Sequence, residues 1–250
     1  MQQIHINLSS MRSLFIEMYF QDTKLSSGTA FVATLGNLRG IVTNRHNVTG
    51  RHQSTGAPLS SHGGVPDRIV VWHNVGTDFP AWSPFVIPLY DGEEKRWLEH
   101  PSLGDRADIA VLPIEEKPGV RLYPYDLGLA PEIIQRPADS VSVVGFPFGR
   151  ASSGRLAIWA TGFIASEPDF PYDDLPVTLI DCRSRQGQSG SPVIMQRNEV
   201  YWGPDGLMSP YDRSGKTQFV GIYSGRISPE SDIGMVWWAT AIGETLKQTV

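Results

Sequence analysis

One cysteine, Cys182, is all that this chain of 250 residues carries, so no disulfide can form within it. Small secreted domains usually rely on such staples, and a chain without them suits a reducing compartment, so a cytoplasmic location is expected. The same count excludes a Cys/His quartet for zinc, and His-Glu-x-x-His is missing too; no metal and no cofactor are expected. The acidic run Tyr90-Asp91-Gly92-Glu93-Glu94 reads as a solvated face. Basic excess is also missing: 21 Lys and Arg stand against 26 Asp and Glu, a net charge of −5. That balance offers no positive field to a nucleic acid. No apolar run is long enough to span a membrane; Leu14–Phe20 is short and interrupted by Glu17. Met1–Asn7 lacks the positive cluster, apolar stretch and cleavage site of a secretion leader. There is no internal repeat and no low-complexity tract. Finally, none of the six histidines (His5, His46, His52, His62, His73, His100) lies in the second half of the chain.

What is present is a succession of short β-type runs separated by Gly, Pro, Ser and Asp clusters, the pattern of an all-β barrel or sandwich. The runs are Ser13–Phe20, Thr29–Thr34, Arg39–Thr43, Arg68–Trp72, Phe85–Leu89, Asp108–Pro113, Ser140–Gly145, Leu156–Ser166, Val177–Cys182, Ser191–Gln196, Thr217–Ser224 and Gly234–Ala241. Six fall on each side of a Pro-containing segment, which predicts two six-stranded antiparallel β-barrels. The expected division is an N-terminal barrel over 13–114, a linker over 115–128, a C-terminal barrel over 129–241 and a short C-terminal helix over 241–250. The helical pattern itself covers Ala241–Gln248.

The stretch Arg185-Gln186-Gly187-Gln188-Ser189-Gly190-Ser191-Pro192 carries the chemistry. Gly187 and Gly190 let the backbone turn sharply beside Ser189. Such a loop can aim the Gly187 and Ser189 amides at one point, which is how an oxyanion is stabilised. A serine nucleophile also needs a base, and the base needs an orienting group. With no histidine after Ser189, the α/β-hydrolase order, in which histidine comes last, is excluded. His46, at the end of the apolar run Gly40–Thr43, is the candidate base. Asp108, at the mouth of Ile109–Leu112, is the candidate orienter, with Asp105 as its alternative. Ser191 and Ser184 are the alternatives to Ser189, but only Ser189 is set among glycines.

Five blocks stand in register: Ser27-Gly28-Thr29-Ala30-Phe31, Thr43-Asn44-Arg45-His46, Asp108-Ile109-Ala110-Val111-Leu112, Val144-Gly145-Phe146-Pro147-Phe148-Gly149 and Gly187-Gln188-Ser189-Gly190-Ser191-Pro192. In these blocks, from Leu14 to Ile242, the chain resembles the trypsin-like serine peptidases, most of all the bacterial HtrA-type protease domain. The resemblance implies a single chymotrypsin-like peptidase domain with its active site in the cleft between barrels. It implies His46 as general base, Asp108 as its orienter, Ser189 as nucleophile, and the Gly187 and Ser189 amides as oxyanion hole. HtrA-type enzymes carry a PDZ domain after the protease. Only a short helix follows the last strand here, so that sensor is expected to be missing, leaving regulation to loops or a protein partner.

The remaining expectations concern specificity and control. In trypsin-like zymogens the position of Gln188 is an aspartate that pairs with a newly cut N-terminus. Glutamine has no charge to pair and the chain begins with Met1, so no activating cleavage is expected. Val220-Gly221-Ile222-Tyr223-Ser224-Gly225 resembles the strand that pairs with substrate backbone, with Ser224 close to Asp108 and Gly225 leaving the pocket wall open. By spacing from Ser189, Arg183 falls at the pocket floor, where its cation favours an acidic side chain before the scissile bond; the alternative is that Arg183 and Arg185 face solvent or pair with Asp181. Two long loops, Gly50–Pro66 and Arg197–Lys216 (with Tyr201, Trp202, Met208 and Tyr211), are either surface insertions or a rim limiting which peptides enter. Cys182, led into by an apolar run, reads as an inert thiol. The expected function is a serine endopeptidase acting on peptide or protein substrates. The alternatives are an idle or partner-regulated binding module and a serine esterase.

Overall fold

The computed structural model describes residues 5–60, 63–76, 81–197, 216–228 and 230–249. A helical turn, α1 (Leu8–Arg12), opens the chain, capped by the Asn7 side chain, which accepts from the Ser9 amide at 2.9 Å. The first half then forms β1 (Ser13–Phe20), β2 (Thr23–Leu35), β3 (Leu38–Thr43), the turn α2 (Arg45–Thr49), β4 (Arg68–Val75), β5 (Ala81–Pro88), a small hairpin of β6 (Tyr90–Asp91) and β7 (Glu94–Lys95), and β8 (Ala110–Pro113). Two short strands, β9 (Val120–Arg121) and β10 (Tyr125–Asp126), lie in the connection. The second half holds β11 (Ser140–Gly145), β12 (Ile158–Ile164), β13 (Val177–Asp181), β14 (Pro192–Arg197), β15 (Lys216–Arg226), β16 (Ile233–Trp238) and helix α3 (Ala239–Leu246). No helix among the described residues is long and apolar enough to cross a membrane.

The all-β, two-unit architecture with one short terminal helix is as expected. The second unit is a closed barrel in the order β11-β12-β13-β16-β15-β14. The first is a curled six-strand path, β5-β4-β1-β2-β3-β8, whose end strands do not pair with each other. Each end has a reason to stop. β5 carries Pro84 and Pro88 and so suits an edge. The short strand β8 meets instead a single bridge, with Leu98 and Val111 exchanging N–H···O bonds of 2.8 and 3.1 Å.

Burial explains why some runs were easily read and others were not. Strand residues alternate between faces, yet β1 is buried on both. Leu14, Ile16 and Met18 fill the first unit, while Phe15 joins a core shared with the second. That shared core collects Phe31, Val42 and Ile109 from the first half with Val144, Phe146, Ile194, Ile222 and Trp237 from the second. The closed barrel has its own filling of Val141, Val143, Ile180, Val193, Tyr223 and Val236.

Several boundaries differ from the sequence expectation. β2 starts at Thr23, not Thr29, because Gly28 is not a turn; it lies in register with Ile16, and a Cβ there would come within 3.0 Å of the Asn47 side chain. The 115–128 connection is strapped to the first sheet: β9 pairs with β4 and β10 runs parallel to β2. α3 begins two residues early, at Ala239, directly after Trp238 leaves β16. It buries Ala241, Ile242 and Leu246 in the shared core, and its Glu244 carboxylate meets the buried His100 Nε2 of the first half at 3.1 Å. Burial draws the pKa of His100 down, with Glu244 opposing.

Candidate active site

β3 ends at the buried Thr43, Asn44 stays extended, and the chain turns at once into α2. This places the His46 ring beside Asp108 in the first turn. The His46 amide donates to Asp108 Oδ1 at 3.0 Å, and His46 Nδ1 lies 2.7 Å from Asp108 Oδ2. A carboxylate only accepts, so the ring proton sits on Nδ1 and Nε2 is left with its lone pair free. The Ser224 hydroxyl donates to the same Oδ2 at 2.7 Å, and Asn44 Nδ2 donates to the Asp108 carbonyl at 2.7 Å. Asp108 is 1% exposed. Burial alone pushes its carboxyl pKa up. The charge and hydrogen bond of the His46 ring, the Ser224 hydroxyl and the His46 amide outweigh it and hold the group below its ordinary value. Asp105, the alternative, is exposed.

Ser189 lies between Gly187, at φ 92°, and Gly190, at φ 86°. Neither glycine can be replaced without a collision. A Cβ on Gly187 would sit 2.5 Å from the Phe146 carbonyl oxygen, and one on Gly190 would sit 2.0 Å from that of Thr29. The carbonyls of Gln186, Gly187 and Gln188 are engaged. Phe148 N–H donates to the Gln186 oxygen at 2.6 Å, Thr29 Oγ1 to the Gly187 oxygen at 3.0 Å, and Ser191 N–H to the Gln188 oxygen at 2.9 Å. In a trans peptide the N–H points opposite to the C=O. Holding the Gln186 and Gln188 oxygens therefore turns the Gly187 and Ser189 N–H groups the other way, and neither donates to another described residue. Ser191 and Ser184, the alternative nucleophiles, are buried, Ser184 against the Tyr223 hydroxyl.

His46, Asp108, Gly187, Ser189, Ser224 and Gly225 line one cleft of about 320 Å³. An imidazole with a free nitrogen, a serine hydroxyl and two undirected amides in one cleft can together carry out acyl transfer. Other predicted residues lie elsewhere. Arg183 is exposed and does not line the cleft, so its placement at a pocket floor fails. Tyr223 is buried in the barrel core, its ring so close that a Cβ on Gly234 would be 2.5 Å from Tyr223 Cε2. Arg183 stands between the buried Cys182 and Ser184 and is left facing solvent, while Tyr223 packs in the barrel core with its hydroxyl against that of Ser184. The cation that does line the cleft is Arg226. Arg185 lies 3.6 Å from Asp232, not Asp181.

The loop after His46 contributes His52, Gln53, Ser54 and Leu59 to the cleft wall. The second long loop, with Tyr201, Trp202, Met208 and Tyr211, lies outside the described residues. Cys182 is buried, its thiol 3.4 Å from the Ala160 carbonyl, and burial helped by Asp181 and Asp232 pushes its pKa up to about 11. That is the environment of an inert thiol.

Three supporting residues escaped the sequence reading. Thr29 bridges the Gly187 carbonyl and the Phe146 amide. Asn44 secures the Asp108 backbone. Phe148, with φ 55°, holds the Gln186 carbonyl. All three sit inside the sequence blocks that carried the resemblance, which was the available signal.

The description of a trypsin-like peptidase domain matches residues 28–201. No curated protein sequence matches the chain. Among solved structures, the chain is similar to the inactive Ser343Ala form of Rv3671c from M. tuberculosis H37Rv, at 18% identity over 96% of this chain and 87% of that one, with a TM-score of 0.53. It is also similar to the active form of the Rv3671c protease, at 17% identity over 96% and 81%, TM-score 0.53. A third likeness is to a serine endoprotease from Yersinia pestis, at 12% identity over 98% and 67%, TM-score 0.56. At these identities the likeness concerns the fold.

Proposed function

The chain belongs to the trypsin-like peptidase family and is a serine-type endopeptidase, and from that premise we propose that His46, Asp108 and Ser189 form its catalytic triad and work through an acyl-enzyme. In this mechanism Ser189 Oγ attacks the scissile carbonyl carbon while His46 Nε2 takes the hydroxyl proton. Asp108 keeps the ring in the Nδ1–H form and stabilises the imidazolium. The carbonyl oxygen, now an oxyanion, accepts from the Gly187 and Ser189 amides; losing one such donor costs about 10²–10³ in kcat. Collapse breaks the C–N bond, and His46 returns its proton to the leaving amine. Water then attacks the Ser189 ester by the same route, releasing the acid and restoring the hydroxyl.

The observation that carries this reading is the carboxylate of Asp108, which accepts at once from the His46 ring, the His46 amide and the Ser224 hydroxyl. Substrate backbone is expected to add along β15. Pairing with β14 ends at Pro192↔Ile222, and Ser224, Gly225 and Arg226 continue into the cleft wall.

No activating cleavage is required in this proposal. Gln188 is buried, and its side-chain Oε1 accepts from the Arg185 backbone N–H at 2.8 Å while its backbone N–H donates to the Arg185 carbonyl at 3.1 Å. The loop that a charged N-terminus would order is already tied to itself. The test is incubation of the full chain with an unfolded protein, with products mapped by mass spectrometry and Ser189→Ala as control. Internal cleavage at defined bonds, lost in the variant, is expected. Hydrolysis of small esters alone would favour an esterase. No turnover by the full chain, with activity appearing after N-terminal trimming, would overturn the zymogen-free reading.

A further inference from the structure

The connection between β11 and β12 reaches from the oxyanion-binding loop to the first sheet. Its near end is the turn Pro147–Gly149, in which Phe148 holds a left-handed backbone (φ 55°, ψ 25°) and is 64% exposed. A non-glycine residue there gains little from its own side chain and holds a strained backbone. What the conformation achieves is the 2.6 Å bond from Phe148 N–H to the Gln186 carbonyl. The turn packs backbone to backbone: a Cβ on Gly187 would lie 3.1 Å from both the Phe148 and Gly149 nitrogens.

The far end of the connection is fastened to the other unit. The Arg155 guanidinium lies over the Trp72 ring, 3.8 Å from its centroid, and over Phe15 at 4.6 Å. Gly154, at φ 55°, rests on Trp82 so closely that a Cβ would meet Cζ3 at 2.6 Å. Glu17 anchors the receiving surface, its carboxylate accepting from Trp72 Nε1 at 3.1 Å. A planar cation between two aromatic faces is a directional contact. Near end and far end are a few residues apart, so the docking of one constrains the other.

We infer that Arg155 is a positioning residue for the oxyanion-binding amides: clasped by Trp72 and Phe15 of the first unit, it holds the β11–β12 connection so that the Phe148 amide keeps the Gln186 carbonyl turned out of the cleft. Release of the clasp frees the Gln186–Gly187 peptide to rotate, which replaces a donor in the cleft with an acceptor. The inference rests on the function proposed above. It also makes the contact between the two units, rather than a chain terminus, the element on which activity depends.

The test uses the full chain and one peptide substrate. Arg155→Ala is expected to lower kcat about tenfold or more while KM changes less than about twofold, with Tm lowered by less than about 5 °C. Gly154→Ala, which lifts the connection off Trp82, is expected to act the same way, and Arg155→Lys to recover part of the loss. In a Ser189→Ala background, Arg155→Ala is expected to leave affinity for an uncleaved peptide unchanged. Affinity of the Ser189-containing chain for a peptide aldehyde, whose adduct places an oxygen on the amides, falls in step with kcat. Unchanged kcat in both Arg155→Ala and Gly154→Ala, or peptide affinity falling together with kcat, overturns the inference while the triad stands. A full chain that hydrolyses nothing overturns both.

Discussion

The two units solve different problems. The second closes on itself, β11 through β14, and encloses its own filling of Ile180, Val193 and Val236. The first stays open between β5 and β8 and places its best-buried aromatic, Phe31, in the core it shares with its neighbour. The proposed chemistry is divided in the same way. The closed barrel contributes geometry made of backbone: a serine between two left-handed glycines and a pair of amides turned by engaged carbonyls. The open unit contributes geometry made of side chains, a carboxylate and an imidazole locked by hydrogen bonds. A closed ladder suits peptide planes that must not rotate. Side chains need only a buried, saturated partner, which Asp108 supplies.

That division can be attacked at each unit in turn. The largest effect is expected from Asp108→Asn in the first, which leaves burial intact but disturbs the Nδ1–H form of His46. A fall of about 10⁴ in kcat with the fold retained is the expected outcome, read by peptide turnover and circular dichroism. Gly187→Ala attacks the second unit. The new methyl meets the Phe146 carbonyl, the peptide must shift, and kcat is expected to fall by about 10²–10³. A turnover close to that of the unaltered chain would mean that the amides of this loop do not serve the reaction.

The shared core is expected to be worth more than either unit's own filling. Phe31→Ala is expected to cost about 3–5 kcal/mol, and activity with it, because the same packing brings the two halves of the site together. Ile69→Val, inside the first unit alone, is expected to cost about 0.5–1.5 kcal/mol and leave turnover unchanged. Denaturant melts and rates on both variants make the comparison.

A pH-dependent effect belongs to the first unit by itself. His73 is 6% exposed, its Nδ1 has no partner, and burial, helped by Lys117, draws its pKa down from 6.5 to about 4. Unfolding lets it take up a proton throughout that interval. Its contribution is therefore full above about pH 6.5 and is lost as pH falls toward 4, by on the order of 3 kcal/mol. Equilibrium melts between pH 7 and 4 should show the loss, and His73→Leu should flatten it.

Much of this was legible in the residues. The order His46, Asp108, Ser189 and the glycines around the serine are readable from chemistry and spacing, and these three residues line one cleft; the strands of the closed barrel lie within a few residues of their expected limits. What could not be read is what depends on a third party. Spacing from Ser189 puts Arg183 at a pocket floor, but where it points is set by its own neighbours: Cys182 and Ser184 are buried and leave the cation outside. The early start of β2 is hidden because Gly28 lies inside the strand, and a sequence does not show the Asn47 side chain that needs the room. The 115–128 segment looked like a free linker because two-residue strands carry no periodicity. Phe148 gave no hint of its left-handed backbone, which exists to serve a carbonyl some forty residues later in the chain.

The central claim is that a base from the open unit activates a serine of the closed one. The most direct measurement is the rate at which a fluorophosphonate probe labels the full, untrimmed chain, alongside His46→Ala and Ser189→Ala. The account predicts one equivalent of label on Ser189, none in Ser189→Ala, and a rate lower by about 10³ or more in His46→Ala. Labelling that is absent, or that proceeds as fast without the imidazole, would contradict it.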